Sequence, residues 1–151
     1  MTRATRRSPN RVDVVVLDGG WRTALPGIER LVRRAARAAL GTRTASLAVA
    51  LASDREVRRL NARDRQQDKP TNVLSYPSGE NSFLGDIVLA RQTVWREARA
   101  HVKPATHHVT HLVVHGTLHL LGHDHETDRD AERMESLERR ILKRLGIPDP
   151  Y

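Results

Sequence analysis

Residues 111–125, "HLVVHGTLHLLGHDH", combine a helical pattern with a dense set of histidines. His115 and His119 are four residues apart, so their side chains are neighbours on one face of an α-helix. Gly122 permits the left-handed backbone turn that ends such a helix, and the chain beyond the turn can then fold back. This stretch therefore predicts a helix whose end carries a cluster of imidazoles.

The spacing of these histidines is that of a metal site with an open coordination position. Three neutral imidazoles can hold Zn²⁺ at about 2.0–2.1 Å and leave a fourth position free, an arrangement typical of catalytic zinc. We prefer His115, His119 and His125 as the ligands, because the glycine turn is otherwise unexplained. His123 could replace His125 as the third ligand. A row formed by His111, His115 and His119 also remains open, since His111 precedes His115 by four residues.

The same spacing resembles the metzincin protease signature H-E-x-x-H-x-x-G-x-x-H, with one difference. Gly116 stands where those proteases carry the general-base glutamate. A metallopeptidase-like hydrolase is therefore an alternative that Gly116 argues against.

Asp124 and Glu126 flank His125. They could orient an imidazole through its second nitrogen, or could equally be solvated turn residues.

The rest of the sequence predicts an α+β fold, a single domain with a mixed four-stranded sheet packed with about five helices. The first strand–helix–strand unit predicts a parallel pair, and a later hairpin-like connection predicts an antiparallel one. We expect residues 1–10 to form a mobile basic tail and residues 11–151 to form the domain. Apolar and turn patterns place strands at 12–20, 45–52, 71–77 and 85–90, and helices at 24–41, 55–64, 91–100, 104–122 and from 128 onward.

Composition limits the chemistry and indicates a partner. The chain has no cysteine, so histidine and carboxylate are the available metal ligands. Its net charge of +8 suggests a polyanion, although 23 arginines against 3 lysines could also reflect a biased genome. Aromatic residues make up only 3% of the chain, so an RNA contact should be made mainly to the backbone. A stripe of arginines, Arg30, Arg33, Arg34 and Arg37, could follow phosphates or be a solvated helix face.

The only N-terminal apolar run, residues 14–17, is too short for a membrane span, and we expect a cytoplasmic protein.

The polar stretch "RDRQQDKPT", residues 63–71, supplies the cations that phosphodiester cleavage requires. A metal with an open position can activate water without a dedicated base. Charge on the transferring phosphoryl group must also be stabilised, usually by arginine, lysine or a metal. Arg63, Arg65 and Lys69 are the candidates for that role.

Three segments resemble, in order and spacing, the blocks of the YbeY-type endoribonucleases of bacterial ribosomal RNA maturation. They are "LNARDRQQDKPTNVLSYP", "LGDIVLA" and "HLVVHGTLHLLGHDH", and the resemblance covers roughly residues 54 to 146. The family pattern in the last block is H-G-x-L-H-L-x-G-Y-D-H. His123 stands in place of its tyrosine, and Arg63 and Asp64 replace the more typical neighbours of the family's arginine.

The resemblance implies a single-strand-specific, metal-dependent endoribonuclease that acts in ribosomal RNA maturation and ribosome quality control. It implies that one Zn²⁺ is bound by His115, His119 and His125, and that Arg65 is the catalytic or substrate-binding arginine. Arg65 and His115 are thus our candidate catalytic residues, and Arg63 could share the role of Arg65. Expected partners are ribosomal RNA precursors and the ribosome or its proteins, with no DNA and no membrane. A non-catalytic ribosome-associated RNA-binding protein with a structural metal is the remaining alternative.

Overall fold

The computed structural model describes residues 10–151, so the predicted basic tail lies outside the described residues except for Asn10. The described part is α+β, as predicted, with six helices where about five were expected. The strands are β1 (Arg11–Val16), β2 (Ser46–Ala52), β3 (Val73–Pro77) and β4 (Phe83–Ala90). The helices are α1 (Gly20–Ala24), α2 (Ile28–Leu40), α3 (Asp54–Arg65), α4 (Arg91–Ala100), α5 (Ala105–Leu120) and α6 (Asp128–Arg144).

The additional helix is α1, whose residues 21–23 sequence reasoning left between the first strand, 12–20, and the first helix, 24–41. It forms because Trp21 is fully buried and its indole Nε1 donates a hydrogen bond to the Ala52 carbonyl at 2.8 Å. The next helix, α2, begins only at Ile28, since Gly27 adopts a left-handed φ of 85°. The predicted helix from residue 24 is therefore wrong at its beginning, where a turn separates two helices.

The four strands form one mixed sheet in the order β1-β2-β4-β3. β1 pairs with β2 and β2 with β4 in parallel, whereas β3 pairs with β4 in antiparallel fashion. This confirms the predicted mixed sheet. It also places β3 at an edge, where its outer side is available to a neighbouring element.

Side-chain caps fix the beginnings of two helices. The Ser53 hydroxyl accepts from the Glu56 amide and the Glu56 carboxylate accepts from the Ser53 amide, a capping box. Thr127 likewise accepts from the Asp130 amide at the beginning of α6. Pro104, expected at the first helical position of α5, is instead the residue that precedes it.

Helix α5 packs across the sheet and against α2, α4 and α6. Its buried residues include Val109, Val113 and Leu118. Gly116 is also buried, and a Cβ there would lie 3.2–3.3 Å from the Ile87 side chain on β4, so the missing side chain permits close helix–sheet contact. None of the helices within residues 10–151 is long and apolar enough to cross a membrane.

Edge strand β3 runs beside α5. At Gly85, the partner of Pro77 on β3, a Cβ would lie 2.1 Å from the Tyr76 carbonyl oxygen and 3.1 Å from Leu120 Cδ2. The end of β3 and the end of α5 therefore meet at this point.

Candidate metal centre

The turn that ends α5 brings the chain back over the helix. Gly122 has a φ of 100°, its amide donates to the His119 carbonyl, and the His123 amide donates to the Leu118 carbonyl at 3.0 Å. These two bonds form a Schellman motif, which requires a left-handed residue at the position of Gly122. The following residues then pass the end of the helix, and His125 reaches the face that carries His115 and His119.

Three imidazoles converge at this end of α5. Each of His115, His119 and His125 offers a nitrogen within 4.8 Å of the others, and the Nε2 atoms of His115 and His119 are 3.0 Å apart. The His125 ring stacks on His115 with centroids 4.9 Å apart and meets the edge of His119 at 5.0 Å. Two nitrogens bound to one tetrahedral zinc at 2.0–2.1 Å are separated by roughly 3.3 Å. The donor set therefore fits a single zinc ion.

A buried carboxylate from another helix holds His115. Glu138 on α6 is fully buried, and its Oε1 is 2.5 Å from His115 Nδ1. Its Oε2 is 3.0 Å from His111 Nε2 and also accepts a hydrogen bond from the Tyr151 hydroxyl. An ionised carboxylate only accepts, so His115 carries its proton on Nδ1 and presents the Nε2 lone pair toward His119.

The electrostatics of the cluster favour the ligand forms of these groups. Burial alone would raise the pKa of Glu138, but hydrogen bonds from His111, His115 and Tyr151 lower it to about 2. Burial, and to a smaller extent the neighbouring His115 and His125, lower the pKa of His119 below its ordinary value. Near neutral pH, Glu138 is therefore charged and His119 is neutral, and a neutral imidazole is the form that binds metal.

The other histidines of α5 and of the turn after it lie outside the cluster of His115, His119 and His125. His111 and His115 form a second possible ligand group with Glu138, but the hydrogen bonds to that carboxylate occupy the facing nitrogens. His108 Nε2 is 2.9 Å from Glu97 Oε1. Within residues 10–151, His123 belongs to neither ligand group, and its side chain lines a depression on the outer side of α6.

The two acidic residues beside His125 do not orient an imidazole in the described structure. Asp124 Oδ1 instead accepts a hydrogen bond from the Glu126 amide, a local turn contact. The carboxylate that contacts a metal-site imidazole, Glu138, was missed by sequence reasoning. The available signal was its position four residues after Met134 and three before Ile141, so that a carboxylate interrupts the buried stripe of α6.

The structure separates the two candidate arginines. Arg63 is neutralised by Asp64, with its Nε 2.7 Å from Oδ1. Arg65, the last residue of α3, donates to the Ser75 carbonyl at 3.0 Å and lies 5.9 Å from the Tyr76 ring centroid. Among the described residues it forms no ion pair, although it contributes to the lowered pKa of the nearby Asp64 carboxyl, which Arg63 and Tyr76 bind directly.

Arg65 does not contact the histidines directly in the described structure, but strand β3 connects the two regions. Ser75 and Tyr76, which hold Arg65, lie on the strand that runs beside α5. The Tyr76 carbonyl and the side chain of Leu120, the neighbour of His119 in sequence, both lie beside Gly85. Strand β3 therefore carries the contacts of Arg65 at one point and approaches the end of α5 at another.

Comparison with known proteins agrees with this geometry. The family model described as Endoribonuclease YbeY matches residues 22–146. The chain belongs to the YbeY family. A family member from Azorhizobium caulinodans, named Endoribonuclease YbeY, is 49% identical over 152 residues, which cover 93% of this chain and 95% of that protein. A member of the same name from a Chelativorans species is 51% identical, over 93% of this chain and 92% of that protein.

A solved structure supports the fold independently of the close relatives. The solution structure of a Thermotoga maritima protein superposes with a TM-score of 0.59, covers 89% of this chain and 91% of that protein, and is 24% identical in sequence. At this identity the similarity establishes the α+β fold and nothing about activity. Family membership therefore rests on the sequence comparisons, and the site geometry on the chain's own residues.

Proposed function

We propose that this protein is a metal-dependent, single-strand-specific endoribonuclease that acts in the cytoplasm on ribosomal RNA precursors, in association with the ribosome. The observation that carries the proposal is the convergence of His115, His119 and His125, with His115 held by Glu138, in a chain of the YbeY family. The names of the curated relatives state the endoribonuclease activity. Three imidazoles suit zinc, which we propose as the metal, and the same donor set also accommodates nickel, copper or iron.

The proposed roles follow from the contacts. His115, His119 and His125 hold the zinc ion, which when bound supplies Lewis-acid stabilisation of charge on the scissile phosphate. Arg65 binds the same phosphoryl group from its position beside β3, where its guanidinium forms no ion pair among the described residues. Glu138 keeps the proton of His115 on Nδ1, and partial burial keeps His119 neutral.

The alternatives lack a supporting observation in the described structure. A peptidase would need a glutamate at position 116, but that position faces Ile87 in the core and has no room for one. A structural metal would leave Arg65, which forms no ion pair among the described residues, without a role. We therefore favour phosphodiester cleavage.

Elemental analysis of the purified protein, paired with cleavage of a precursor ribosomal RNA, tests the proposal. Arg65→Ala should reduce cleavage by about 10²–10³-fold, the cost of removing one group that stabilises developing charge, with metal content unchanged. Arg63→Ala is the matched control and should have a much smaller effect, since Asp64 already neutralises Arg63. His119→Ala should lose the metal. Metal loss in the Arg65 variant, or full cleavage by metal-free protein, would contradict the assigned roles.

A further inference from the structure

Four arginines on α2 form a positively charged surface. Arg30, Arg33, Arg34 and Arg37 line a depression of about 380 Å³ that has no other lining residue. Within the described residues, none of the four forms an ion pair, and Arg33 makes one long hydrogen bond to the Val12 carbonyl, 3.3 Å. Their spacing places like charges three and four residues apart, which lowers helix stability.

This pattern differs from the chain's other arginine-rich surfaces. On α6 the exposed face alternates charges, with Glu132 and Glu135 beside Arg133 and Arg139. Seven other arginines form ion pairs: Arg11–Asp13, Arg22–Glu29, Arg58–Asp68, Arg63–Asp64, Arg91–Asp18, Arg96–Asp54 and Arg139–Asp149. What sets the α2 surface apart is that all four residues that line its depression are arginines. The α2 surface is therefore complementary to a ligand that brings several negative charges.

The arginine surface opens into a groove between α2 and α5. This groove has a volume of about 770 Å³; Arg30 and Arg34 line one wall, and Thr106, His107 and Thr110 line the other. Its floor is formed by apolar residues such as Leu31. No acidic residue lines it, so a negatively charged chain would meet only cations, hydroxyls and an imidazole there.

The groove continues along α5 to the candidate metal centre. His107 also lines a second depression of about 270 Å³, together with Lys103 and His111. Lys103 and His111 in turn line a third cavity of about 290 Å³, which reaches His115. Each depression shares lining residues with the next, so the three lie in series along α5 between Arg30 and His115.

Two acidic residues lie along this path. Asp149, in the second depression, is paired with Arg139. Glu97, in the third cavity, accepts from Asn72 and contacts His108, whose pKa is lowered mainly by burial, so both partners are neutral and Glu97 keeps its charge. The cations therefore dominate the α2 end of the path, and a negatively charged group stands near its metal-site end.

We propose that this groove, from the α2 arginines across the beginning of α5 to His115, binds the backbone of single-stranded RNA flanking the cleavage site. The inference rests on the proposed endoribonuclease function and assigns the surface that holds substrate away from the cut. Arg30 and Arg34 contact phosphates. The first two depressions are lined by no tryptophan, phenylalanine or tyrosine on which bases could stack, so binding there is independent of sequence. Tyr151 lines the third cavity, next to the metal-site imidazole.

The test measures RNA binding separately from cleavage. Fluorescence anisotropy with full-length, metal-free protein and a single-stranded RNA of about a dozen nucleotides gives the affinity at several salt concentrations. The double variant Arg30→Ala/Arg34→Ala should bind roughly tenfold more weakly, and its salt slope should fall by up to about 1.4, the value for two lost phosphate contacts. In a series of shorter RNAs, the defect should disappear once the RNA no longer reaches the arginines.

The matched control is Arg140→Ala/Arg144→Ala, which removes the same charge at the same helical spacing from α6, outside this groove. It should change the salt slope by less than half as much. Equal losses in the two double variants, or an unchanged slope in the α2 variant, would overturn the groove assignment. If metal-loaded wild-type protein cleaves no RNA yet the α2 variant alone binds it weakly, the nuclease proposal fails and the binding surface remains.

Discussion

Replacing Glu138 tests whether a buried carboxylate on α6 prepares His115 for metal binding. Its two oxygens contact His115 on one side and His111 and Tyr151 on the other. Glu138→Gln keeps one acceptor oxygen but loses the charge, so it cannot satisfy both sides. Glu138→Met has a similar length and no oxygen, and so leaves the proton of His115 free to move to Nε2.

The size of the effect follows from these contacts. Removing a hydrogen-bond partner of a metal-binding histidine typically lowers metal affinity by 10–100-fold, or about 1.4–2.7 kcal/mol. The glutamine variant keeps part of the interaction, so we expect a loss near tenfold. The methionine variant should approach a hundredfold. The order matters more than either value, because it follows from the number of acceptor oxygens that remain.

The assay is a competition titration of zinc between metal-free protein and a coloured chelator, at constant pH. Thermal unfolding of each metal-free variant shows whether it folds. Glu132→Gln, on an exposed turn of the same helix, is the control that changes charge without touching an imidazole. Long-range ¹H–¹⁵N spectra of the metal-free protein should show less Nδ1-protonated His115 in the methionine variant, a change that lost stability alone would not produce.

The positioning role would be refuted by folded variants that bind zinc as tightly as the wild type. An equal loss in Glu132→Gln would also refute it, because a general charge effect would then be sufficient. Spectra that show His115 of the wild-type protein protonated on Nε2 would also refute the positioning role of Glu138.

Two further substitutions test the fold around the site. Gly116→Glu should lower the free energy of unfolding by about 3 kcal/mol or more in urea, because it places a charge against Ile87 in the core. The variant should not cleave peptides. A stable variant that does cleave peptides would contradict this prediction. Arg91 lowers the pKa of Asp18, so that the stabilisation from this pair is present above about pH 4 and is lost as pH falls through the lowered pKa. Asp18→Asn should therefore lower the free energy of unfolding at pH 7 and change it little at pH 2. Asp13→Asn, at an exposed pair, is the control and should change it little at either pH. Equal pH profiles of the two variants would refute the stabilising role of the Asp18–Arg91 pair.

Much of the local structure followed from sequence because its causes are local. The left-handed Gly122 and the four-residue spacing of His115 and His119 depend on bonds or turns within a few residues. The mixed sheet followed from the order of its strands and helices. The additional helix α1 could not be predicted, because it depends on Trp21 meeting the Ala52 carbonyl 31 residues away.

By itself, the sequence determined that a helix ends in a glycine turn and carries histidines on one face, because helical periodicity and glycine's backbone freedom act over one or two turns. Only the tertiary structure decided which groups surround them. It brought Glu138 to His115 across 23 residues and placed the Asp64 carboxylate in an ion pair with Arg63 rather than with Arg65. It also showed that position 116 packs against Ile87, so its glycine is explained by helix–sheet packing. These outcomes depend on how separate elements pack, and packing is set by the whole core rather than by neighbouring residues.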